Sequence, residues 1–571
     1  MSLIDWMGDD DDGTMHFYSQ GKWGDASFDE LARSVSGAAE LLTDAGVTRG
    51  DRVALVLPTG FDFFNYFFGA IAIGAVPTAL PSPGIGGRQF CGSHVVPMLR
   101  TLAPRLVVAT AGTLDLLDES IRSLGLIPLA SETPIPDSGF TRAFAPNTGS
   151  ETAVIQFTSG STSAPRGVVL TADAVQRYMT IVKSIFHRGG RVGYSFGSWL
   201  PMHHDMGLIG MFMFAACFRT DGWFMPPEVF VRRPLEWLSL FSEKGVNHSA
   251  IPNFAVERVI QVLKPEMLAG YDFSNWRTLI IGSDRINFHA MRQFYEMLAP
   301  YGFGCNVLKP GYGMAETTLG VTTARLDSVL NAIAIDDEPS GSGQPVRIRG
   351  EYSLTDPLPD SDISGDSLYV VSCGADLPEM RSRIVDAAGS VLPDRCVGEI
   401  VVQSPALFAG YLGKPATKSM SYATGDLGLK WKGELYVLGR VGNSVKVNGG
   451  FVTAEDIEVL VATRVGLTQA KVTVVLRDLS GFGRPMTLLV IQQKVHESAV
   501  PAICEALIKN GLSADHAAVV VVAPRAIART TSGKPKRAEI WSGLASGRTK
   551  GRFLFIGERS VFHAEQEVLQ A

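Results

Sequence analysis

Apolar residues in "FDELARSVSGAAELLTDAGV" (Phe28–Val47) recur at the three-to-four spacing of a helix with one buried face, and Gly46 supplies a stop. "DRVALVL" follows as a nearly continuous apolar run of strand length. "GFDFFNYFFGAIAIGAVPTAL" is then apolar on all sides, as a buried helix leading into another strand would be. The alternation recurs at "RLVVAT" (Arg105–Thr110), "LIPLA" (Leu126–Ala130) and "TAVIQFTS" (Thr152–Ser159). Strands alternating with helices predict a multi-domain α/β protein with largely parallel sheets.

The texture changes near residue 340. A stretch rich in Gly, Pro, Ser and Asp, "SGSGQPVRIRGEYSLTDPLPDSDISGDSLYVVSCG", is followed by short strand-like runs, "EIVVQS" and "ELYVLG". It predicts a β-rich unit over about 340–439 that carries a surface insertion at 341–367. Beyond "GRVGNSVKVNGG" the βα texture returns, in "TAEDIEVLVATR", "KVTVVLRD", "MTLLVIQQ" and "AAVVVVAP". The expected organisation is a large N-terminal domain, 1–439, and a small C-terminal domain, 440–571, with Gly439–Asn443 as the joint. No internal repeat is evident.

Composition narrows the class. With 46% hydrophobic and 19% charged residues over 571 positions, the chain buries several cores and is not disordered. A net charge of −6 argues against a general nucleic-acid partner. Asp9–Asp12, the one charge block, reads as a solvated segment. Six cysteines without C-x-x-C spacing argue against a structural zinc site and for a reducing compartment. The N-terminus has neither the basic nor the apolar region of a secretory leader. The most apolar stretch, "GLIGMFMFAACF" (Gly207–Phe218), is too short to span a bilayer and reads as a buried helix. The expectation is a cytoplasmic protein with no integral membrane segment.

Candidate chemistry begins at "TSGSTSAPRGVV" (Thr158–Val169), where two glycines and a run of hydroxyl residues suit phosphate oxygens. It is not a Walker A loop, because Pro165 stands where Gly is needed and Arg166 where Lys is needed. Between an apolar strand and the helix candidate "TADAVQRYMTIVKSIF", it predicts a strand–loop–helix phosphate site. "GYGMAETTLG" (Gly311–Gly320) sets Tyr312, a ring able to stack on a base, four residues before Glu316, a carboxylate able to hold Mg²⁺. "YATGDLG" offers Asp426 in a tight turn, suited to two ribose hydroxyls, and "LGR" supplies Arg440 at the joint. "RTTSGKPKR" presents Lys534 as a mobile point charge on a loop. His204, between His203 and Asp205, has two readings: a hydrogen-bonded core histidine or a group lining a pocket.

With these motifs in view the chain, from about Phe28 to Ile540, resembles the adenylate-forming superfamily of acyl- and aryl-CoA ligases, peptide-synthetase adenylation domains and luciferases. Within it the chain is most similar to the fatty acyl-AMP ligases, in "QFTSGSTSAPRGVVLT", "WLPMHHDMGLIG" (Trp199–Gly210), "RPLEWL…HSAIPNFA" (Arg233–Ala255), "PGYGMAETTL", "VSCG" (Val371–Gly374) and "GELYVLGR" (Gly433–Arg440). The resemblance implies two α/β subdomains and a distorted β-barrel, followed by a small α+β domain that rotates between half-reactions. It implies that ATP activates a fatty or related carboxylic acid to acyl-adenylate, releasing pyrophosphate, with Mg²⁺ as cofactor. The acyl group then passes to the phosphopantetheine thiol of a holo acyl-carrier protein. Free CoA as acceptor and an inactive nucleotide-binding protein are the alternatives.

By the same resemblance, Thr158, Ser159, Gly160, Ser161, Thr162 and Arg166 line the β,γ-phosphate site. Gly282, Ser283 and Asp284, in "IIGSDRI", flank adenine where relatives more often show Gly-Ala-Glu-Pro. Gly311, Tyr312, Gly313, Met314 and Ala315 enclose the base and Glu316 holds Mg²⁺. Asp426 and Arg440 grip the ribose, and Lys534 bridges carboxylate and α-phosphate. His204 stands at the carboxylate end of the acyl pocket. The hinge residue is Asn443, in a Gly442-Asn443 pair where relatives carry Lys-Asp. The insertion at 341–367 looks like the segment that hinders CoA thioesterification in fatty acyl-AMP ligases.

Overall fold

The Phe28–Asp44 helix starts at a reciprocal cap: the Glu30 N–H donates to the Ser27 hydroxyl at 3.3 Å, and the Ser27 N–H donates to the Glu30 carboxylate at 2.8 Å. Two donors that a helix start leaves open are thereby satisfied. Its buried face, with Leu31, Val35 and Leu42, packs on the Phe61–Ala72 helix. Trp6 enters the same core, edge-on to Phe28, Phe64 and Phe68 at ring separations between 5.2 and 5.5 Å. Arg219 donates to the Trp6 carbonyl at 2.5 Å.

The computed structural model describes residues 2–8, 13–84, 87–136, 144–158, 165–186, 193–335, 345–359, 368–417, 419–447, 450–478, 484–524, 526–530 and 534–562. Among them, two α/β sheets carry most of the large N-terminal domain. One runs Val76–Ala79, Arg52–Val56, Leu106–Ala109, Ile127–Ala130, parallel throughout. The other has a parallel middle in the order Leu308–Gly313, Thr278–Gly282, His248–Pro252, Ser195–Ser198, Asp221–Phe224, Thr14–Ser19. Lys22–Ser27 at one end and Gly320–Thr323 toward the other pair antiparallel.

Three antiparallel groups complete this domain. Thr152–Thr158 and Arg166–Thr171 form a hairpin. Arg381–Val385, Gly398–Gln403, Ser421–Trp431 and Glu434–Arg440 form a second group. Asn331–Ile335 is flanked by Ile348–Ser353 and Leu368–Val371 in the third. The segment expected to be a surface insertion therefore contains a strand, with Ser353 opposite Asn331. "IRGEYS" lies at the edge of its sheet and is nowhere fully buried, so it lacks the apolar run that marks an inner strand. Residues 341–344 and 360–367 lie outside the described residues, as does Asp9–Asp12.

The C-terminal domain has cores of its own. Its sheet runs Val472–Arg477, Met486–Ile491, Ala517–Val522, Gly551–Ile556. The Ala454–Arg464 helix packs Ile457 and Val461 against Val474 and Leu489. The Arg537–Ala545 helix packs Ile540 and Trp541 against Leu488 and Val520. "GLIGMFMFAACF" is buried as expected, but it is wound as a π-helix over Met206–Met213 before an α-turn at Phe214–Cys217. Such a bulge is common where a helix serves a site.

Candidate active site

One cavity of about 1090 Å³ opens between the C-terminal ends of the large parallel sheet and the small domain. Ligands of α/β sheets bind in this position. The expected site residues that fall within the described chain all line it: Thr158, Arg166, His204, Gly282, Ser283, Asp284, the segment Gly311–Glu316, Asp426, Arg440, Asn443 and Lys534. Ser159, Gly160, Ser161 and Thr162 lie outside the described residues.

Three local expectations are corrected. The phosphate-type segment is followed by a strand and not a helix: Thr158 pairs opposite Arg166, and the Ala172–Phe186 helix begins only after the Arg166–Thr171 strand. "RGVVLT" alternates Val168 and Leu170 with more exposed positions, a strand period that the neighbouring helix pattern obscures. Asp426 sits within the long Ser421–Trp431 strand, directly opposite Arg440, and not in a tight turn. Gly425, at φ +72°, puts a kink just before it that only glycine adopts readily. Lys534 is no freely mobile charge, because its Nζ donates to the Ser283 carbonyl at 2.5 Å and stands 3.3 Å from Asp284.

Tyr312 is the penultimate residue of the Leu308–Gly313 strand, and its hydroxyl donates to Asp426 Oδ2 at 2.8 Å. Arg440 Nε donates to Asp426 Oδ1 at 2.7 Å. Burial, and then the adjacent Asp426 charge, raise the Tyr312 phenol well above its ordinary pKa, so the ring stays neutral. The Asp426 charge in turn raises that of Arg440. A flat ring, a fixed carboxylate and a guanidinium thus share one wall. Gly313 is obligatory here: a Cβ would lie 1.9 Å from the Leu319 carbonyl oxygen.

Glu316 is 5% exposed, and its Oε1 accepts from the Tyr411 hydroxyl at 2.7 Å. Tyr411 is 3.0 Å from the Tyr422 hydroxyl, and the Arg166 guanidinium lies 4.6 Å above the Tyr411 ring. Burial, then the Glu316 charge, push the Tyr411 phenol strongly upward, which keeps it a donor. Sequence reasoning missed both tyrosines, whose only signal was an aromatic in "GYLG" and another before "TGD".

At the opposite end, His204 Nδ1 is 2.7 Å from Asp205 Oδ1, which also caps Met206 N–H at 2.8 Å. Burial alone would raise the Asp205 pKa, but His204, the Met206 N–H and Lys534 outweigh it and hold the carboxylate ionised. His203 lines the cavity beside it, and burial of the ring drives its pKa down to about 3. The cavity also has an apolar wall, made by Val182, Ile185 and Phe186 on one helix, Ile209 and Met211 on the π-bulged one and Phe214 in the turn that follows it. Phe186 and Phe214, 5.6 Å apart, form part of an aromatic cluster that also includes His248 and Phe196. A third missed residue is Glu257, on the Asn253–Val262 helix. It is buried, accepts from Asn253 at 3.3 Å, lines the cavity together with Ala470 of the small domain, and has its pKa raised to about 7 by burial.

Among the described residues, no three His, Cys, Asp or Glu side chains converge as a metal cage. Glu316, with one oxygen held by Tyr411, fits the other arrangement, in which a single carboxylate shares an ion with phosphate oxygens.

The AMP-binding enzyme family matches residues 9–412, and the chain belongs to it. It is an adenylate-forming ligase. The relatives include a 4-hydroxyphenylalkanoate adenylyltransferase of Mycobacterium tuberculosis, 28% identical over 86% of this chain and 81% of its own. Another is JamA of Moorena producens, a medium-chain-fatty-acid–[acyl-carrier-protein] ligase, 27% identical over 89% of this chain and 88% of its own. A solved structure from a study of fatty acyl-adenylate ligases of E. coli and L. pneumophila superposes with a TM-score of 0.83 at 25% identity, covering 96% of this chain and 99% of that one. No described helix is long and apolar enough to cross a membrane.

Proposed function

We propose that the protein condenses a fatty acid with ATP to acyl-adenylate and passes the acyl group to the phosphopantetheine thiol of a holo acyl-carrier protein. The observation that carries this reading is the mixed lining of one cavity. Tyr312, Asp426, Arg440, Glu316, Lys534 and His204 share it with an apolar chamber wall of Val182, Ile185, Phe186, Ile209, Met211 and Phe214. A fatty acid laid in the chamber brings its carboxylate to His204 and Lys534. A carboxylate oxygen attacks the α-phosphorus and pyrophosphate leaves; the thiol then attacks the acyl carbon and AMP leaves.

In this reading Tyr312 stacks on adenine, Asp426 and Arg440 hold the ribose, and Thr158 and Arg166 meet the departing phosphates together with the Ser159–Thr162 loop. Lys534 stabilises charge growing at the α-phosphate. Glu316 would hold Mg²⁺, which would offset the triphosphate charge when bound. Asn443 serves the joint, its amide donating to Glu455 of the small domain at 2.9 Å. The carrier-protein acceptor is supported by the activity for which the Moorena relative is named.

The test is pyrophosphate exchange across a panel of fatty and aryl-alkanoic acids, followed by product analysis with holo carrier protein or CoA. Exchange with fatty acids and transfer to the carrier protein are expected. Exchange confined to aryl acids would replace the substrate class, and acyl-CoA formed as readily as carrier thioester would replace the acceptor. Lys534→Ala is expected to cut exchange by about 10²–10³-fold, as loss of one preorganised donor does.

A further inference from the structure

The tripeptide Ser283-Asp284-Arg285 follows the Thr278–Gly282 strand of the large domain, yet all three residues engage the small one. Ser283 sits at φ +76°, a region that costs a residue with a side chain, and this turns its carbonyl to Lys534 Nζ at 2.5 Å. Asp284 lies 3.3 Å from the same ammonium. Arg285 points the other way. Its Nη1 donates to the Leu438 carbonyl of its own domain at 3.2 Å and forms an ion pair with Asp456, in the first turn of the Ala454–Arg464 helix.

The two side chains of that pair are 4% and 9% exposed. Asp456 is held in turn by Thr453, whose hydroxyl donates to it at 2.6 Å. Separating a pair this deeply buried would strand a charge on each domain unless water or new partners reached both, so the pair favours one relative pose. In that pose Lys534 enters the cavity.

We infer that Arg285 is a positioning residue for acid activation: by gripping Asp456 it seats the small domain so that Lys534 reaches the reacting phosphate. The inference rests on the proposed role of Lys534. Neither side chain of the pair need touch substrate. Displacing a catalytic group by on the order of 1 Å costs about 10²-fold in rate.

The experiment uses the full chain and Arg285→Gln, Arg285→Lys, Asp456→Asn and the Arg285→Gln/Asp456→Asn double variant. Each is assayed for pyrophosphate exchange, for transfer from supplied acyl-adenylate to a thiol, and for the distance between one dye on each domain. Expected are a fall of about 10²-fold in exchange kcat for Arg285→Gln with KM for acid and ATP unchanged, partial rescue by Arg285→Lys, and a shifted interdomain distance. Transfer from supplied adenylate should persist, and the double variant should be no worse than either single one. Should Arg285→Gln fail to fold, Asp456→Asn reads the same pair from the other side. An unchanged interdomain distance, or parallel loss of both half-reactions, overturns the inference. If Lys534→Ala leaves exchange intact, the lysine's role fails, and the distance measurement alone still decides whether the pair sets the pose.

Discussion

Replacing Glu257 by Gln keeps the shape and the acceptor for Asn253 while removing a titratable group from the cavity wall. Burial, with Asp284 nearby, raises this carboxyl from its ordinary 4.5 to about 7. A folded-state pKa above the unfolded one means that the native protein binds the extra proton between these values. Stability from this group is therefore complete below pH 4.5 and is lost progressively as pH rises toward 7. At about 1.4 kcal/mol per unit, the loss amounts to about 3 kcal/mol above that window. With unfolding entropy near 2.1 cal/mol/K per residue over roughly 440 residues, this corresponds to about 3 °C in Tm. The Gln amide adds a buried donor whose cost does not change with pH, so the informative quantity is the variant-minus-parent Tm difference followed from pH 4.5 to 8. It should rise with pH by about 3 °C and level off above neutrality. A flat difference would show that the carboxyl titrates as an ordinary glutamate and that the burial argument is wrong.

Three further outcomes follow from the site. Glu316→Gln should collapse pyrophosphate exchange, with partial recovery at high Mg²⁺; near-normal turnover would make Glu316 a structural residue only. Tyr411→Phe removes the hydroxyl that fixes Glu316, so the Mg²⁺ concentration for half-maximal rate should rise while thermal stability changes by no more than about 1 kcal/mol. Phe186→Ala opens the aromatic end of the chamber. It should shift preference to longer acyl chains, each added buried methylene being worth about 0.8 kcal/mol or about fourfold in kcat/KM, and an unchanged chain-length profile would place the acyl group elsewhere.

What could be read from the sequence was whatever is local. The alternation of strands and helices through residue 130 and the βα texture after 450 follow from apolar period alone, and the structure has strands at those runs. Tyr312, Glu316, Asp426, Arg440 and Lys534 stood out because each lies in a short polar or glycine-rich motif. Partners that meet only through the fold did not. Tyr411 reaches Glu316 across 95 positions, and nothing near Arg285 announces Asp456. The π-bulge at Met206–Met213 escaped because a run apolar on all sides has no face from which the turn length could be read. The Ile348–Ser353 strand escaped because a half-wet edge strand has the composition of a loop.

The lodging of Trp6 among Phe28, Phe64 and Phe68 bears on how the chain can be shortened or fused. The family match begins at residue 9, an inviting place to cut. Trimming there would uncork an aromatic socket, remove the carbonyl that anchors Arg219 and bare greasy surface to solvent. Such a chain would be expected to clump during expression although every catalytic motif was retained. A tag appended ahead of Met1 leaves the cork in place and is the safer handle.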